Sequence, residues 1–88
     1  MNDQAPIQTD ELETVRPIIA DVLCVAPEWV ERDQLLADAP SYDSLDIVEL
    51  QMACEDSLAI ELADHEMERV KTCGDLAALC SRKLADKR

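Results

Sequence analysis

Residues 40–50 read Pro-Ser-Tyr-Asp-Ser-Leu-Asp-Ile-Val-Glu-Leu, and this stretch decides the fold. Pro40 closes a polar connection, and Asp43 stands where a helix wants a side-chain acceptor at its N-cap. Beyond Ser44, the apolar residues Leu45, Val48, Met52 and Leu58 predict one helical stripe on a helix from about Ser44 to Ser57. Taken alone, Asp43-Ser44-Leu45-Asp46 is an ordinary helix start. Its surroundings set it apart. The same helix carries Asp46, Glu49 and Asp56, flanked by Glu55, and residues 33–68 contain no Lys or Arg. Solvated helix faces usually mix signs, because opposite charges one turn apart contribute about 0.2–0.5 kcal/mol per pair. A one-signed face forgoes that gain and repels itself, and binding a basic partner is a sufficient reason for it.

Upstream, Leu12, Val15, Ile19, Val22, Leu23 and Ala26 recur at helical spacing and predict a first helix from about Asp10 to Val25. Asp10 and Glu13 resemble an N-cap pair. Pro17 interrupts the pattern, so the helix either runs through it with a kink, the preferred reading, or starts near Thr14. Residues 1–8 read as a polar lead-in, leaving residues 9–86 as the domain. Pro27 opens a connection reaching to Tyr42, long for a compact domain and hence a candidate functional segment. Trp29-Val30 and Leu35-Leu36 are its expected anchors, with room for a short helical turn between them. Downstream, residues 58–62 read as a packed loop and Asp64 to Val70 as a short third helix. Thr72 caps a last helix with Asp75 in its first turn and Leu76, Leu79, Cys80 and Leu84 on its buried face. Lys83, Lys87 and Arg88 gather at its C-terminal end, where the helix dipole favours cations. One Gly, four Pro and two aromatics argue against strands. The expected fold is all-α: a small four-helix bundle, three main helices plus a short third, with a long loop between the first two.

Composition narrows the function. The 88 residues carry 20 Asp and Glu against 8 Lys and Arg, a formal net charge of -12. Such a surface repels phosphate backbones, which argues against nucleic acid as a partner. No segment approaches the roughly 20 apolar residues that span a bilayer, and the first residues lack a signal-peptide pattern. A cytoplasmic, monomeric protein is expected. A domain this small has little room for a deep cleft, which favours a carrying or binding module over an enzyme. Cys24, Cys54, Cys73 and Cys80 form no Cys-x-x-Cys pair, and His65 is near none of them in sequence, so no metal site is expected. They read as reduced thiols filling the core.

The succession Asp43-Ser44-Leu45-Asp46, Val48-Glu49-Leu50, Met52-Ala53, Glu55-Asp56, Ile60-Glu61 and Val70-Lys71-Thr72-Cys73-Gly74-Asp75 resembles the acyl carrier proteins of fatty acid and polyketide synthesis. The resemblance runs from about residue 10 to residue 85. It implies that Ser44 receives 4'-phosphopantetheine from coenzyme A through a magnesium-dependent phosphopantetheinyl transferase. It also implies that the arm then carries acyl groups as thioesters. Nothing in the sequence activates Ser44 as a nucleophile, so the chain would be a substrate of that transfer and not a catalyst. The resemblance further implies that basic patches on the transferase and on synthases, reductases and acyltransferases dock on Asp43, Leu45, Asp46, Glu49, Met52, Glu55 and Asp56. Two features depart from the family pattern. Pro40-Ser41-Tyr42 replaces a glycine-bearing approach to the serine, and Leu58-Ala59-Ile60 replaces an aromatic and a glycine. Both point to a dedicated pathway. An unmodified acidic module of the same fold, and a carrier of aminoacyl or aryl cargo, stay open as alternatives.

Overall fold

The spacing of Leu12, Val15, Ile19 and Leu23 puts four apolar side chains on one side of a helix, and all four are buried. That helix, α1, spans Pro6–Leu23 in the computed structural model, which describes residues 6–87, with side chains from residue 11 onward. It is one helix with Pro17 inside it, not one starting near Thr14. Asp10 therefore lies within α1 and is not its cap. Residues 1–5 of the expected lead-in, and Arg88, lie outside the described residues. The helix also stops short of the expected Val25. Cys24 takes a left-handed φ of 57°, and the Val25 N–H donates to the Ala20 carbonyl at 3.0 Å, the bond that closes a Schellman turn. Ala26 thus leaves the stripe and is exposed.

The long connection holds two 3-10 turns, Pro27–Trp29 and Leu36–Asp38. They fall at the predicted anchors, not between them. Val30 and Leu36 are buried, whereas Leu35 is 45% exposed and anchors by its backbone alone. Leu35 forms an antiparallel bridge with Thr72. Around it, the Leu36 N–H donates to the Lys71 carbonyl at 2.9 Å, Cys73 N–H to Gln34 at 2.9 Å, and Gly74 N–H to Arg32 at 3.0 Å. A Cβ on Gly74 would stand 2.6 Å from Arg32 Cγ and 2.8 Å from the Arg32 carbonyl oxygen. Only glycine permits this approach. From the other side, the Arg16 guanidinium of α1 donates to the carbonyls of Pro27, at 2.9 Å, and of Val30. The connection therefore meets its backbone hydrogen-bonding demand against α1 and the start of the last helix.

Helix α2 spans Ser44–Leu58, α3 Asp64–Met67 and α4 Cys73–Asp86. The bundle is all-helical among the described residues, with α1 packed chiefly against α4 and α2. The third helix is shorter than the expected Asp64–Val70. Beyond Met67, bonds from Arg69 N–H to Glu66 and from Val70 N–H to Met67 tighten the chain into turns. Lys83 of α4 ties α3 down through Glu66 at 2.8 Å. That bond and the Ala63 N–H hold the Glu66 carboxyl below its ordinary range. Thr72 caps α4 as expected, accepting from the Asp75 N–H at 3.0 Å. The Asp75 carboxylate accepts from the N–H groups of Thr72 and Lys71, which lowers its pKa.

The core runs through all four helices and takes in Leu50, Cys54, Ile60, Leu62, Met67, Cys73, Leu76 and Cys80. The packed loop expected over residues 58–62 begins one residue later, because Leu58 ends α2; residues 59–62 form it, with Ile60 and Leu62 buried. Ala59 holds a φ of 55° after α2, and the Ile60 N–H reaches back to the Glu55 carbonyl at 3.3 Å. This is the second Schellman turn built without glycine. Three of the four cysteines fill the core as expected. Cys24 does not: it is exposed.

Candidate functional site

The first turn of α2 is assembled by two carboxylates. Asp43, in extended conformation, accepts from the Leu45 N–H at 2.9 Å. Asp46 reaches back to accept from the Asp43 N–H at 3.0 Å. This reciprocal capping box satisfies backbone donors that a helix start otherwise leaves open. Between these two residues sits Ser44, exposed. Its hydroxyl makes no hydrogen bond to any described residue. His65 lies on α3, and its side chain lines a groove with Arg69 and Arg82 instead of meeting Ser44.

The residues around Ser44 fit a covalently attached phosphodiester. An exposed, unpartnered hydroxyl at the positive end of a helix is open to modification, and the helix terminus favours the new negative charge by about 0.3–1 kcal/mol. The carboxylates of Asp43 and Asp46 oppose it. At roughly 6 Å in water each repulsion amounts to about 0.7 kcal/mol, so the two together slightly outweigh the gain from the helix terminus. The site tolerates the charge without trapping it, as an arm that must swing free requires.

The α2 face differs from the expected stripe. Leu45 is 66% exposed, Met52 61% and Val48 46%. The side chains that bury α2 are Leu50 and Cys54, with Ile47 and Leu58 partly buried against them. Leu45, Val48 and Met52 therefore face water, two residues out of phase with Ile47, Leu50 and Cys54 on the core side, and of the predicted stripe only Leu58 packs against the core. These three side chains place a row of large apolar surface in solvent on an acidic helix. Beside them, Glu49 and Asp56 are exposed with no structural bond, whereas Glu55 turns inward. Its carboxylate accepts from the Leu62 N–H at 2.9 Å, and Gln51 donates to the Leu62 carbonyl at 2.8 Å. Asp43, Asp46 and Glu55 thus shape α2 and its exit loop, and Leu45, Val48, Glu49, Met52 and Asp56 present the free surface. Sequence reasoning grouped all the carboxylates together because spacing alone does not reveal which ones the backbone claims.

No helix among the described residues is long and apolar enough to cross a membrane. No group of His, Cys, Asp or Glu among them is arranged to hold a metal ion.

Comparison with known proteins follows the same lines. Residues 13–80 match the family described as the phosphopantetheine attachment site. The acyl carrier protein of Thermosynechococcus vestitus is 41% identical over 78 residues, covering 89% of this chain and 96% of that one. That of Petrotoga mobilis is 40% identical over 76 residues, covering 85% and 89%. Among solved structures, the solution structure of the holo acyl carrier protein from Geobacter metallireducens superimposes with a TM-score of 0.78 at 31% identity, covering 88% of each chain. The family match, the identities and the shared helical fold agree: the chain belongs to the acyl carrier protein family, as a non-catalytic carrier that works through 4'-phosphopantetheine.

Proposed function

We propose that Ser44 bears the 4'-phosphopantetheine arm. The observation that carries this reading is the exposed Ser44 hydroxyl, unpartnered among the described residues, at the N-terminus of α2. When bound, the arm's terminal thiol holds an acyl group as a thioester. This chain supplies the attachment oxygen, keeps it clear of neighbours and offers a helix terminus to the phosphodiester. No base among the described residues is hydrogen-bonded to Ser44, and the flanking Asp43 and Asp46 carboxylates are engaged in the capping box, so its proton must be removed by the transferase and the chain is the substrate of that step.

The family implies a phosphopantetheinyl transferase and acyl-processing enzymes as partners in general. The finer proposal is that their basic patches meet α2 at Glu49 and Asp56, with Leu45, Val48 and Met52 supplying apolar contact. Asp43 and Asp46 then contribute charge from within the capping box, and Glu55 sits at the rim. The protein works as a monomer in the cytoplasm, presenting the arm to each enzyme in turn.

The test is the intact mass of purified protein after incubation with coenzyme A, magnesium and a phosphopantetheinyl transferase. Wild type should gain the mass of one arm and Ser44→Ala none. A wild type that gains no arm would leave the unmodified-module reading standing. A Ser44→Ala variant that gains the same mass would move the attachment elsewhere.

A further inference from the structure

We propose that the groove between α3 and α4 is a second interaction surface, which binds a carboxylate-bearing segment of a partner protein while α2 and Ser44 stay free. Arg69 and Arg82 line this groove, a hollow of about 470 Å³, and both are exposed. The buried Val70 and Leu79 line its inner side, and His65 stands at the same groove. No residue of α2 lines it.

The groove is set apart by how its charges are used. Of the 8 Lys and Arg, Arg88 lies outside the described residues. Arg16, Arg32, Lys83 and Lys87 bond within the fold. Arg69, Lys71 and Arg82 have no side-chain hydrogen bond or ion pair with any described residue. Two of these three, Arg69 and Arg82, meet at one groove. Two carboxylates line the same groove, and neither answers them. Glu66 is taken by Lys83 at 2.8 Å and by the Ala63 N–H at 2.9 Å. Asp75 accepts from the Lys71 N–H at 3.0 Å and the Thr72 N–H at 3.1 Å. A guanidinium presents a planar fork of donors that matches a carboxylate in two-point contact. Here two such forks stand unfilled, on a chain with 20 Asp and Glu that could have paired them. With Lys83, which neutralises Glu66, three cations meet two anions at the groove. The chain as a whole has a net charge of -12.

The same charges select the occupant. Exposed arginines hold an isolated ion weakly, because water and salt screen each pair. Several carboxylates on one segment bind together, since the first contact keeps the next one close. A nucleic acid or an anionic bilayer would press the rest of its charge against the acidic chain. A short acidic segment brings only the carboxylates that the groove accepts. Ser44 and the exposed row on α2 stay uncovered, so one protein can hold the carrier while another reaches the arm site. Binding here needs no arm on Ser44.

The experiment titrates the isotope-labelled, arm-free chain with a short synthetic peptide carrying glutamates at alternate positions, and follows the amide NMR shifts at low salt. Shifts should concentrate at residues 65–82 and leave residues 44–58 in place. The glutamine counterpart of the peptide should bind about tenfold more weakly, and raised sodium chloride should weaken binding of the glutamate form. Arg69→Gln/Arg82→Gln should lose about tenfold in affinity. Arg69→Lys/Arg82→Lys should lose several-fold, because an ammonium keeps the charge but not the two-point contact. Both positions are exposed, and circular dichroism checks that each variant keeps its helices. The absence of shifts at millimolar peptide overturns the proposal, as do shifts centred on another surface. So does a glutamine double variant that binds as tightly as wild type. Sodium phosphate that displaces the peptide as well as an excess of the peptide itself, at equal ionic strength, would reduce the groove to an adventitious ion site and overturn it equally.

Discussion

Two residues carry a backbone cost that most proteins give to glycine. Cys24 and Ala59 both sit in the left-handed region, where a Cβ costs roughly 1–2 kcal/mol. Replacing Ala59 by glycine removes that cost, and the extra freedom of the unfolded chain takes back about 0.4–1 kcal/mol. The net is a gain of about 0.5–1 kcal/mol. Denaturant unfolding should show the Ala59→Gly midpoint shifted upward with an unchanged slope; a downward shift would mean that the turn is not strained. Gly74 is the converse case. Its missing Cβ lets the connection between α1 and α2 lie against the start of α4. Gly74→Ala should cost about 1–3 kcal/mol, since the carbonyl of Arg32 cannot move aside without breaking its bond from residue 74. Full retention of stability in the same unfolding assay would show that the approach is looser than described. None of the three residues could be singled out from sequence for this reason. A left-handed φ at alanine or cysteine has no local signature, and Gly74 is explained only by what crosses above it.

At the scale of elements, the helices were legible and their faces were less so. The α1 and α4 stripes came out because both helices bury one side against the rest of the bundle, which is what helical periodicity reports. Reading α2 by the same rule failed at Leu45, Val48 and Met52, since an exposed apolar row has the same spacing as a buried one. Periodicity shows that residues share a face, not what the face meets. The start of α1 was missed because Pro6-Ile7-Gln8-Thr9 offers one large apolar residue, too little to extend the stripe, and α3 ends early in turns that only the hydrogen bonds reveal. The structure also decides which carboxylates test the docking face. Asp46 caps α2, so reversing its charge would loosen the helix as well as alter the surface. The Glu49→Lys/Asp56→Lys variant leaves the capping box intact. It should be modified by the transferase several-fold more slowly at low salt, with the defect shrinking as salt rises. Equal rates at low salt would remove this face from the docking model. The other cap offers a pH test. The Asp75 carboxyl is lowered by N–H groups of Thr72 and Lys71. Its contribution is therefore fully present above the unfolded value, about 3.9, and is lost as the pH falls through the lower folded value. Asp75→Asn should flatten the loss of thermal stability below about pH 4 that wild type shows, and an unchanged acid slope would assign that loss to other groups.

Across the whole molecule, a net charge of -12 on 88 residues makes self-repulsion a standing cost, concentrated where residues 33–68 contain no cation. Several of the cations that do exist work as clamps. Arg16 ties the connection to α1, Lys83 ties α3 to α4, and Lys87 of the α4 end donates to the Ala59 carbonyl at 2.6 Å, closing off α2. Raising sodium chloride from about 10 mM to about 500 mM shortens the Debye length from roughly 30 Å to under 5 Å. The thermal midpoint should therefore rise with salt, and a falling midpoint would mean that these clamps outweigh the repulsion. The same charge distribution leaves residues 33–69 free of internal tryptic sites, because no Lys or Arg interrupts them before Arg69. That peptide contains Ser41, Ser44 and Ser57, so a mass gain on the intact chain does not by itself say which serine carries the arm. Fragmentation of this peptide from transferase-treated protein does. The arm, or the dehydroalanine left when it is eliminated, should map to residue 44 alone; finding it at residue 41 or 57 would contradict the account.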